Sequence, residues 1–204
     1  LHGLPLTDAS LHLLAAKTEG WAAGIILALH AATAQGAAAA TQSLAAVSGS
    51  SRVIYEYLAQ EALARQPEDV RRFLLWTSAL PRFSAEFADA LLGQAGSQRS
   101  IDHLERSHLF IIPLDPDRNW YRYHHLFQEF LQRVAAEENR EEMRDVAIRA
   151  GRMWEQRREL HAAIELYAAA GAMDDVARLL AADGLDMLAR GQIATIRRWL
   201  DRVA

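Results

Sequence analysis

Residues 109–123 read Leu-Phe-Ile-Ile-Pro-Leu-Asp-Pro-Asp-Arg-Asn-Trp-Tyr-Arg-Tyr, and this stretch decides the fold class. Its two ends, 109–114 and 120–123, carry the β-branched and aromatic residues that favour strands, and a turn-rich segment separates them. We therefore predict a β-hairpin, the single hairpin of the chain. Three short helices are predicted directly before it, and helices followed by a hairpin in this order are typical of a winged helix domain.

The rest of the sequence predicts helices. Alanine fills 39 positions, against 11 glycines and 5 prolines. Because alanine has the highest helix propensity and the other two the lowest, the composition predicts a mainly α protein. A Ser-Gly-Ser-Ser run at 48–51 predicts a linker. Apolar spacing, caps and helix breakers predict helices from Thr7 or Asp8 to Gly20, Trp21 to Ala32, Arg52 to Pro67, Pro67 to Pro81, Ser84 to Gly93, Ser97 or Ser100 to His108, His124 to Glu137, Arg140 to Gln156, Leu160 to Ala170 and Met173 to Ala182.

The last third of the chain contains a candidate repeat. An offset of 32 residues aligns Ile164 with Ile196 and Tyr167 with Trp199. This period is close to the roughly 34 residues of tetratricopeptide-like helical hairpins. We therefore predict TPR-like helical repeats after the winged helix domain.

Composition excludes several classes of protein. The chain has no cysteine, which excludes disulfides and thiolate chemistry, and its net charge is −4, which argues against a globally basic nucleic-acid binder. The longest apolar run, 21–34, is shorter than the roughly 18 residues of a membrane helix. The chain begins at Leu1 without a signal peptide, so we expect a cytoplasmic fragment of a longer protein without membrane contact.

Motifs for catalysis are missing from the sequence. A P-loop needs glycines before a lysine and a hydroxyl residue, but Lys17-Thr18 follows two alanines. No Gly-x-Ser-x-Gly motif is present. We therefore expect no catalytic residue and no enzyme activity in this chain.

The densest polar group is Tyr121-Arg122-Tyr123-His124-His125. Three interpretations are open for its histidines. They could cap or pack at the start of a helix; they could contact an anion, since a helix N-terminus offers free N–H groups; or His125 and Glu129 could bind a metal with His103 or His108. No His-Glu-x-x-His motif supports the third, so we expect no metal ligands.

Charge decides whether the winged helix domain reads DNA. Residues 97–123 contain four arginines and four acidic residues, so they carry no positive excess. Phosphate neutralisation dominates DNA affinity, and we therefore expect this domain to contact protein rather than DNA.

Several motifs resemble one family in order along almost the whole chain. They are Thr18-Glu19-Gly20-Trp21-Ala22-Ala23-Gly24, Tyr57-Leu58-Ala59-Gln60-Glu61, residues 70–78 (Val-Arg-Arg-Phe-Leu-Leu-Trp-Thr-Ser), residues 104–110 (Leu-Glu-Arg-Ser-His-Leu-Phe), Trp120-Tyr121-Arg122-Tyr123-His124-His125-Leu126-Phe127, Trp154-Glu155, and Ala162 with Ile164. The family is that of the MalT-like regulators, ATP-dependent LuxR-type transcriptional activators of the STAND class of signal-transduction ATPases.

The resemblance implies a domain division. Residues 1–50 would end the helical part of a nucleotide-binding module, 51–137 would form a winged helix domain, and 138–204 would begin a TPR-like superhelix. In such regulators a P-loop domain precedes this region, the superhelix senses an inducer, and a C-terminal LuxR-type helix-turn-helix binds DNA.

The resemblance also implies candidate site residues. In related ATPases a histidine after the wing contacts the β-phosphate of ADP, and His124 lies at the matching position. Trp21 and Ala22 are weaker candidates for the adenine side, because alanine stands where the related motif has proline. ATP or ADP would bind the parent protein, with no cofactor in the fragment.

The expected function is the coupling of nucleotide state to inducer sensing and self-association. Its partners would be the parent's own nucleotide-binding domain, other protomers, and a small-molecule or protein inducer. The alternative is a helical-repeat interaction scaffold with no nucleotide role. A metal-dependent hydrolase using His124, His125 and Glu129 is a further rival.

Overall fold

The computed structural model describes residues 52–107 and 109–189, together with single positions outside these ranges: Asp8, His12, Ala15, Ala16, Thr18, Glu19, Trp21, Ile25, Arg197 and Trp199. These residues are mainly α-helical, as the composition predicts. None of the helices among them is long and apolar enough to cross a membrane. The predicted linker at 48–51, as well as Ala22, His108 and Ile196, lie outside the described residues.

The described elements follow one another with short connections. A short helix α1 leads directly into a π-helical segment, three helices and a two-stranded hairpin follow, and four further helices complete the order. Their bounds are α1 Arg52–Tyr57, the π-helix Leu58–Leu63, α2 Glu68–Thr77, α3 Ala85–Leu92, α4 Ser97–Arg106, β1 Ile111–Pro113, β2 Tyr121–Tyr123, α5 His125–Glu138, α6 Arg140–Gln156, α7 Leu160–Ala169 and α8 Met173–Ala189.

Helices α2, α3 and α4 with the hairpin form the winged helix domain. Strands β1 and β2 pair antiparallel, with Ile111 opposite Tyr123 and Pro113 opposite Tyr121. Phe83, between α2 and α3, adds an isolated bridge to Tyr121 on the other side. The predicted hairpin is confirmed, whereas the bridge at Phe83 was not predicted.

Local signals explain several helix ends. Ser84 accepts a hydrogen bond from the backbone N–H of Phe87 and caps α3, and Gly93 ends α3 in the left-handed conformation with φ 67°. Asn139 caps α6 in the same way through the N–H of Glu142. The predicted start of α3 and the predicted bounds of α6 are therefore confirmed.

Buried aromatic side chains hold the winged helix domain together. Phe83 packs on Tyr123 with 4.8 Å between ring centroids and on Phe73 with 5.8 Å. The Tyr123 hydroxyl lies 2.6 Å from the Thr77 hydroxyl, which itself donates to the carbonyl of Phe73. The buried hydroxyls of Tyr123 and Thr77 are thus paired, which avoids the cost of burying them alone.

Trp154 of α6 joins the winged helix domain to the helices that follow. Its ring stacks on Phe87 at 4.5 Å and lies 5.8 Å from Trp120, between centroids. The Arg82 guanidinium lies 5.2 Å from the rings of both tryptophans and binds Glu159 at 2.7 Å. Trp154 falls on the apolar face of the predicted 140–156 helix, which predicts a core position, and its burial is confirmed. Trp120, placed by the sequence on the hairpin, packs against Trp154 and anchors the wing.

Three predictions need correction. The helix predicted from Arg52 changes to π-helix at Leu58, and α8 continues through Gly184 to Ala189 instead of ending near Ala182. A glycine inside a helix is only about 1 kcal/mol less favourable than an alanine, so packing can keep it helical. Gly184 stays helical, whereas Gly93, in the left-handed conformation, ends α3. Trp21 is half-buried rather than a full member of the core.

Candidate functional site

His124 is the N-cap residue of α5, and both of its ring nitrogens are engaged. Nδ1 accepts a hydrogen bond from the backbone N–H of Leu126 at 3.3 Å, and Nε2 lies 2.6 Å from the carbonyl oxygen of Thr18. Because a carbonyl can only accept, Nε2 carries the ring proton. His124 is only 5% exposed. It therefore ties the N-terminal segment to the start of α5.

Glu19 brings a carboxylate to three basic side chains beside this bond. Its Oε2 accepts a hydrogen bond from Nη1 of Arg122 at 3.1 Å and lies 3.7 Å from Nε2 of His124. Its Oε1 lies 3.6 Å from Nδ1 of His125. The Glu19 side chain is 27% exposed, so solvent reaches it. We call Glu19, Arg122, His124 and His125 the Glu19 cluster.

The surroundings favour an ionised Glu19 beside a neutral His124. Burial by itself raises the pKa of the Glu19 carboxyl, but the Arg122 hydrogen bond and the charges of Arg122 and the two histidines outweigh it, and the pKa lies below its ordinary value. Burial lowers the pKa of His124, against the opposing effects of the Thr18 carbonyl and the Glu19 carboxylate. The cluster is therefore a carboxylate that is hydrogen-bonded by a guanidinium, with two imidazole rings beside it.

A cavity of about 550 Å³ adjoins the cluster. Trp21 and Phe110 line this cavity and also approach His124, with centroid distances of 5.9 and 6.5 Å. Tyr57 extends the aromatic wall, 5.9 Å from Trp21. Glu61 lies on the same lining. A flat aromatic group bound in the cavity would therefore meet aromatic faces close to the Glu19 cluster.

Backbone strain is concentrated around the same place. Glu19 has φ 46° and Phe110 has φ 49°. Residues other than glycine rarely adopt this left-handed backbone conformation, because their Cβ atom is crowded there. The π-helix Leu58–Leu63 borders the cavity through Glu61 and Ala62. Strained residues and π-helical turns are enriched at functional sites, because they persist only where the surroundings enforce them. This independent observation points to the same junction.

The residues predicted from the sequence are only partly brought together. His124 caps α5, as one interpretation of the histidines expected, and Trp21 lies next to it. The metal set that included His103 is not assembled, since His103 binds Gln66 at 2.9 Å. Within the described residues, the group close enough to share an ion is Glu19, His124 and His125, whose ligand atoms lie within 4.8 Å of one another.

Two members of the cluster escaped the sequence reasoning. Arg122 alternates with the buried residues Tyr121 and Tyr123 along β2, and that alternation could have identified it as facing the opposite side. Glu19 had no such signal, because it lies 103 positions from Arg122. Long-range contacts of this kind cannot be read from local spacing.

The wing and α4 neutralise each other. Arg118 of the wing pairs with Glu105 of α4, and the Asp115 carboxylate accepts hydrogen bonds from the backbone N–H groups of Asn119 and Trp120. The basic side chain of the wing tip is therefore paired with a carboxylate. The absence of DNA binding by this domain stays a prediction.

Comparisons with known proteins match the winged helix domain. Residues 59–143 match the family described as the MalT winged helix domain. The HTH-type transcriptional regulator MalT of Vibrio parahaemolyticus is 29% identical over 150 residues, 74% of this chain and 17% of that protein. MalT of Yersinia enterocolitica is 30% identical over 130 residues, 63% of this chain and 14% of that protein.

A protein with a different name is also similar. The serine/threonine-protein kinase PknK of Mycobacterium tuberculosis is 33% identical over 169 residues, 83% of this chain and 15% of the kinase. The chain thus spans less than one fifth of the length of each of these relatives. Because both alignments cover most of this chain, the same part of it resembles a regulator and a kinase.

Proposed function

We propose that this chain functions as a member of the MalT-like family, and the match of residues 59–143 to the MalT winged helix domain supports this. The chain is the central regulatory segment of an ATP-dependent, LuxR-type transcriptional activator in the cytoplasm. It couples the nucleotide state of the parent protein to inducer sensing and self-association. Its partners are the parent's nucleotide-binding domain, other protomers and an inducer that binds the TPR-like repeats, while DNA binds elsewhere in the parent.

One observation carries this proposal. A single carboxylate, that of Glu19, is surrounded by the side chains of Arg122, His124 and His125. Nη1 of Arg122 donates to a Glu19 oxygen at 3.1 Å, and a ring nitrogen of each histidine lies 3.6 to 3.7 Å from the carboxylate oxygens. Guanidinium and imidazole N–H groups bind phosphate oxygens by the same charge-assisted hydrogen bonds. The chemistry of these donors therefore fits a nucleotide phosphate, at the position where the family resemblance expects one.

The residues of this chain would divide the work of holding a nucleotide. Arg122 would supply the charge and Trp21 an aromatic face for the base, while the Nε2–H of His124, whose ring is fixed by its capping bond to Leu126, would donate to the phosphate in place of the Thr18 carbonyl. A bound nucleotide supplies binding energy that differs between two conformations of the parent, and only such a difference can shift their populations. The chain itself does no chemistry on the nucleotide.

The full-length parent carrying His124→Ala tests this function. We expect ADP affinity to fall by about tenfold, the effect of losing one charge-assisted hydrogen bond, and basal activity to rise. His161→Ala is the control for removal of an imidazole, since His161 is exposed on α7 and faces Glu165 at 3.9 Å, while it shares a surface pocket with His125. If ADP affinity and basal activity are both unchanged in His124→Ala, the proposed nucleotide contact is wrong.

The similarity to a kinase favours a second candidate function. A segment shared by proteins named as a regulator and as a kinase can act as an interaction scaffold with no nucleotide role, using helices α6 to α8. In that case nucleotide would change neither self-association nor partner binding of the intact parent. Sedimentation of the parent with ADP, with ATP and without nucleotide separates the two functions.

A further inference from the structure

We propose that Glu19 is an internal occupant of an oxyanion site formed by Arg122, His124 and His125, and that an external phosphate-type anion binds there only when Glu19 is withdrawn. The proposal deepens the function above, and it rests on that function only for identifying the anion with a nucleotide phosphate. The occupancy of the site by Glu19 can be tested without nucleotide.

The contacts of Glu19 resemble those of a bound ligand. Both carboxylate oxygens are used, Oε2 by Arg122 and Oε1 near His125, while His124 faces Oε2 from 3.7 Å. Arg122 also donates to the carbonyl of Tyr123 at 3.2 Å, which fixes its guanidinium at the end of β2. The donors are therefore held by the winged helix domain, whereas the carboxylate comes from the N-terminal segment.

The backbone of Glu19 is held in an unfavourable conformation. A φ of 46° is unfavourable for a non-glycine residue, and the turn that the Trp21 N–H closes on the Thr18 carbonyl at 2.7 Å holds Glu19 in it. The Thr18 carbonyl is also bound by Nε2 of His124. Withdrawal of Glu19 therefore opens this turn and exposes the side chains of Arg122 and His125.

Solvent already has access to the site. The side chains of Glu19, Arg122 and His125 are 27%, 34% and 33% exposed, although His124 is buried. Trp21 and Phe110, whose rings approach His124, also line the neighbouring cavity. An incoming anion can therefore reach Arg122 and His125 first, and it gains the Nε2–H of His124 only when the Thr18 carbonyl leaves together with Glu19.

A metal ion fits the same residues less well. Glu19, His124 and His125 have suitable ligand atoms, but Arg122 places a positive charge 3.1 Å from the carboxylate. The Nε2 atom of His124 also carries a proton donated to Thr18, and a metal ligand needs a free lone pair there. Both features favour an anion over a cation.

Pyrophosphate titration of the 204-residue chain, followed by calorimetry, tests the proposal. Glu19→Gln removes the charge at nearly constant size, and Glu19→Gly also relieves the strained φ, so a folding defect in one variant does not decide the result. We expect both to bind pyrophosphate at least about tenfold more tightly than the wild type, as expected for removing a competing charged acceptor. Glu137→Gln is the matched control, because it removes a carboxylate paired with Arg133 at 2.8 Å, and it should leave affinity unchanged.

A double variant locates the anion. Adding Arg122→Gln to Glu19→Gln should abolish the gain, and a gain that persists would overturn the proposal because the anion then binds elsewhere. Equal affinity of wild type and both Glu19 variants would also overturn it, as would stoichiometric Zn²⁺ binding by the wild type that Glu19→Gln abolishes.

The pyrophosphate experiment with the Glu19 variants and the ADP experiment with His124→Ala can fail independently of each other. If the Glu19 variants gain pyrophosphate affinity while His124→Ala leaves ADP binding to the parent unchanged, the internal occupant stands and the nucleotide assignment fails. If His124→Ala weakens ADP binding but the Glu19 variants gain nothing, the internal occupant alone fails.

Discussion

Gly151 sits in α6 directly against the ring of Tyr167 in α7, and its replacement by alanine gives a sharp test of the packing. A Cβ at position 151 would lie 2.8 Å from Cε1 and 2.9 Å from Cδ1 of that ring. Tyr167 is fully buried, and its hydroxyl donates to Glu155 at 2.8 Å. Glu155 is in turn held by Arg178. The ring therefore has no free direction in which to move.

Two opposing effects set the magnitude. Alanine gains about 1 kcal/mol over glycine within a helix, while a forced contact in a packed core costs about 1–3 kcal/mol. We expect Gly151→Ala to lower the free energy of unfolding by up to about 2 kcal/mol, and to lower Tm by about 2–4 °C for each kcal/mol lost. Thermal unfolding followed by circular dichroism measures this shift.

Gly184 provides the matched control for this substitution. It lies within α8, and a Cβ there would meet no atom within 4 Å. Gly184→Ala should therefore raise stability by about 1 kcal/mol, the propensity gain alone. In a Tyr167→Leu background, Gly151→Ala should also become stabilising, because the ring is gone. Stabilisation by Gly151→Ala in the wild-type background would refute the packing of α6 on α7.

Three further predictions concern the cluster and the winged helix domain. Burial lowers the pKa of His124, so the stability that the neutral ring contributes is complete above the ordinary pKa of 6.5 and is lost as pH falls toward the lowered pKa. Urea unfolding should therefore give a lower free energy of unfolding at pH 5.5 than at pH 7.5. His124→Asn, which can still cap α5, should make this difference smaller. Tyr123→Phe should cost about 1 kcal/mol by removing the hydroxyl paired with Thr77, whereas no change in urea midpoint would contradict that bond. The purified chain should bind duplex DNA only weakly and hydrolyse no ATP; a steep salt-dependent DNA affinity or measurable turnover would contradict these expectations.

The sequence correctly predicted those helix starts and ends that are set by a capping residue within a few positions of the helix. Ser84 and Gly93 bound α3 because a hydroxyl cap and a left-handed glycine act within a few residues. The same reasoning gave a wrong end for α8 at Gly184, since the backbone there stays helical. The bridge at Phe83 was missed because a single paired residue has no alternation to detect.

The site was predictable only in part for a physical reason. His124 was identified because it precedes an apolar helix, which is a local pattern. Its partners Thr18 and Glu19 meet it only after the chain has folded, across more than 100 positions. The cluster therefore depends on tertiary packing, and only half of it could be found from residue order. The division at 51 and 137 and the TPR-like repeats stay predictions.

The most direct measurement is the rate at which ADP leaves the intact parent protein. His124→Asn keeps an acceptor for the N–H of Leu126 and so preserves the cap of α5, while it removes the imidazole donor. If His124 contacts the nucleotide phosphate, ADP should leave this variant about tenfold faster than the wild type, and His161→Ala should match the wild type. Equal release rates for all three proteins would contradict a nucleotide role for the junction.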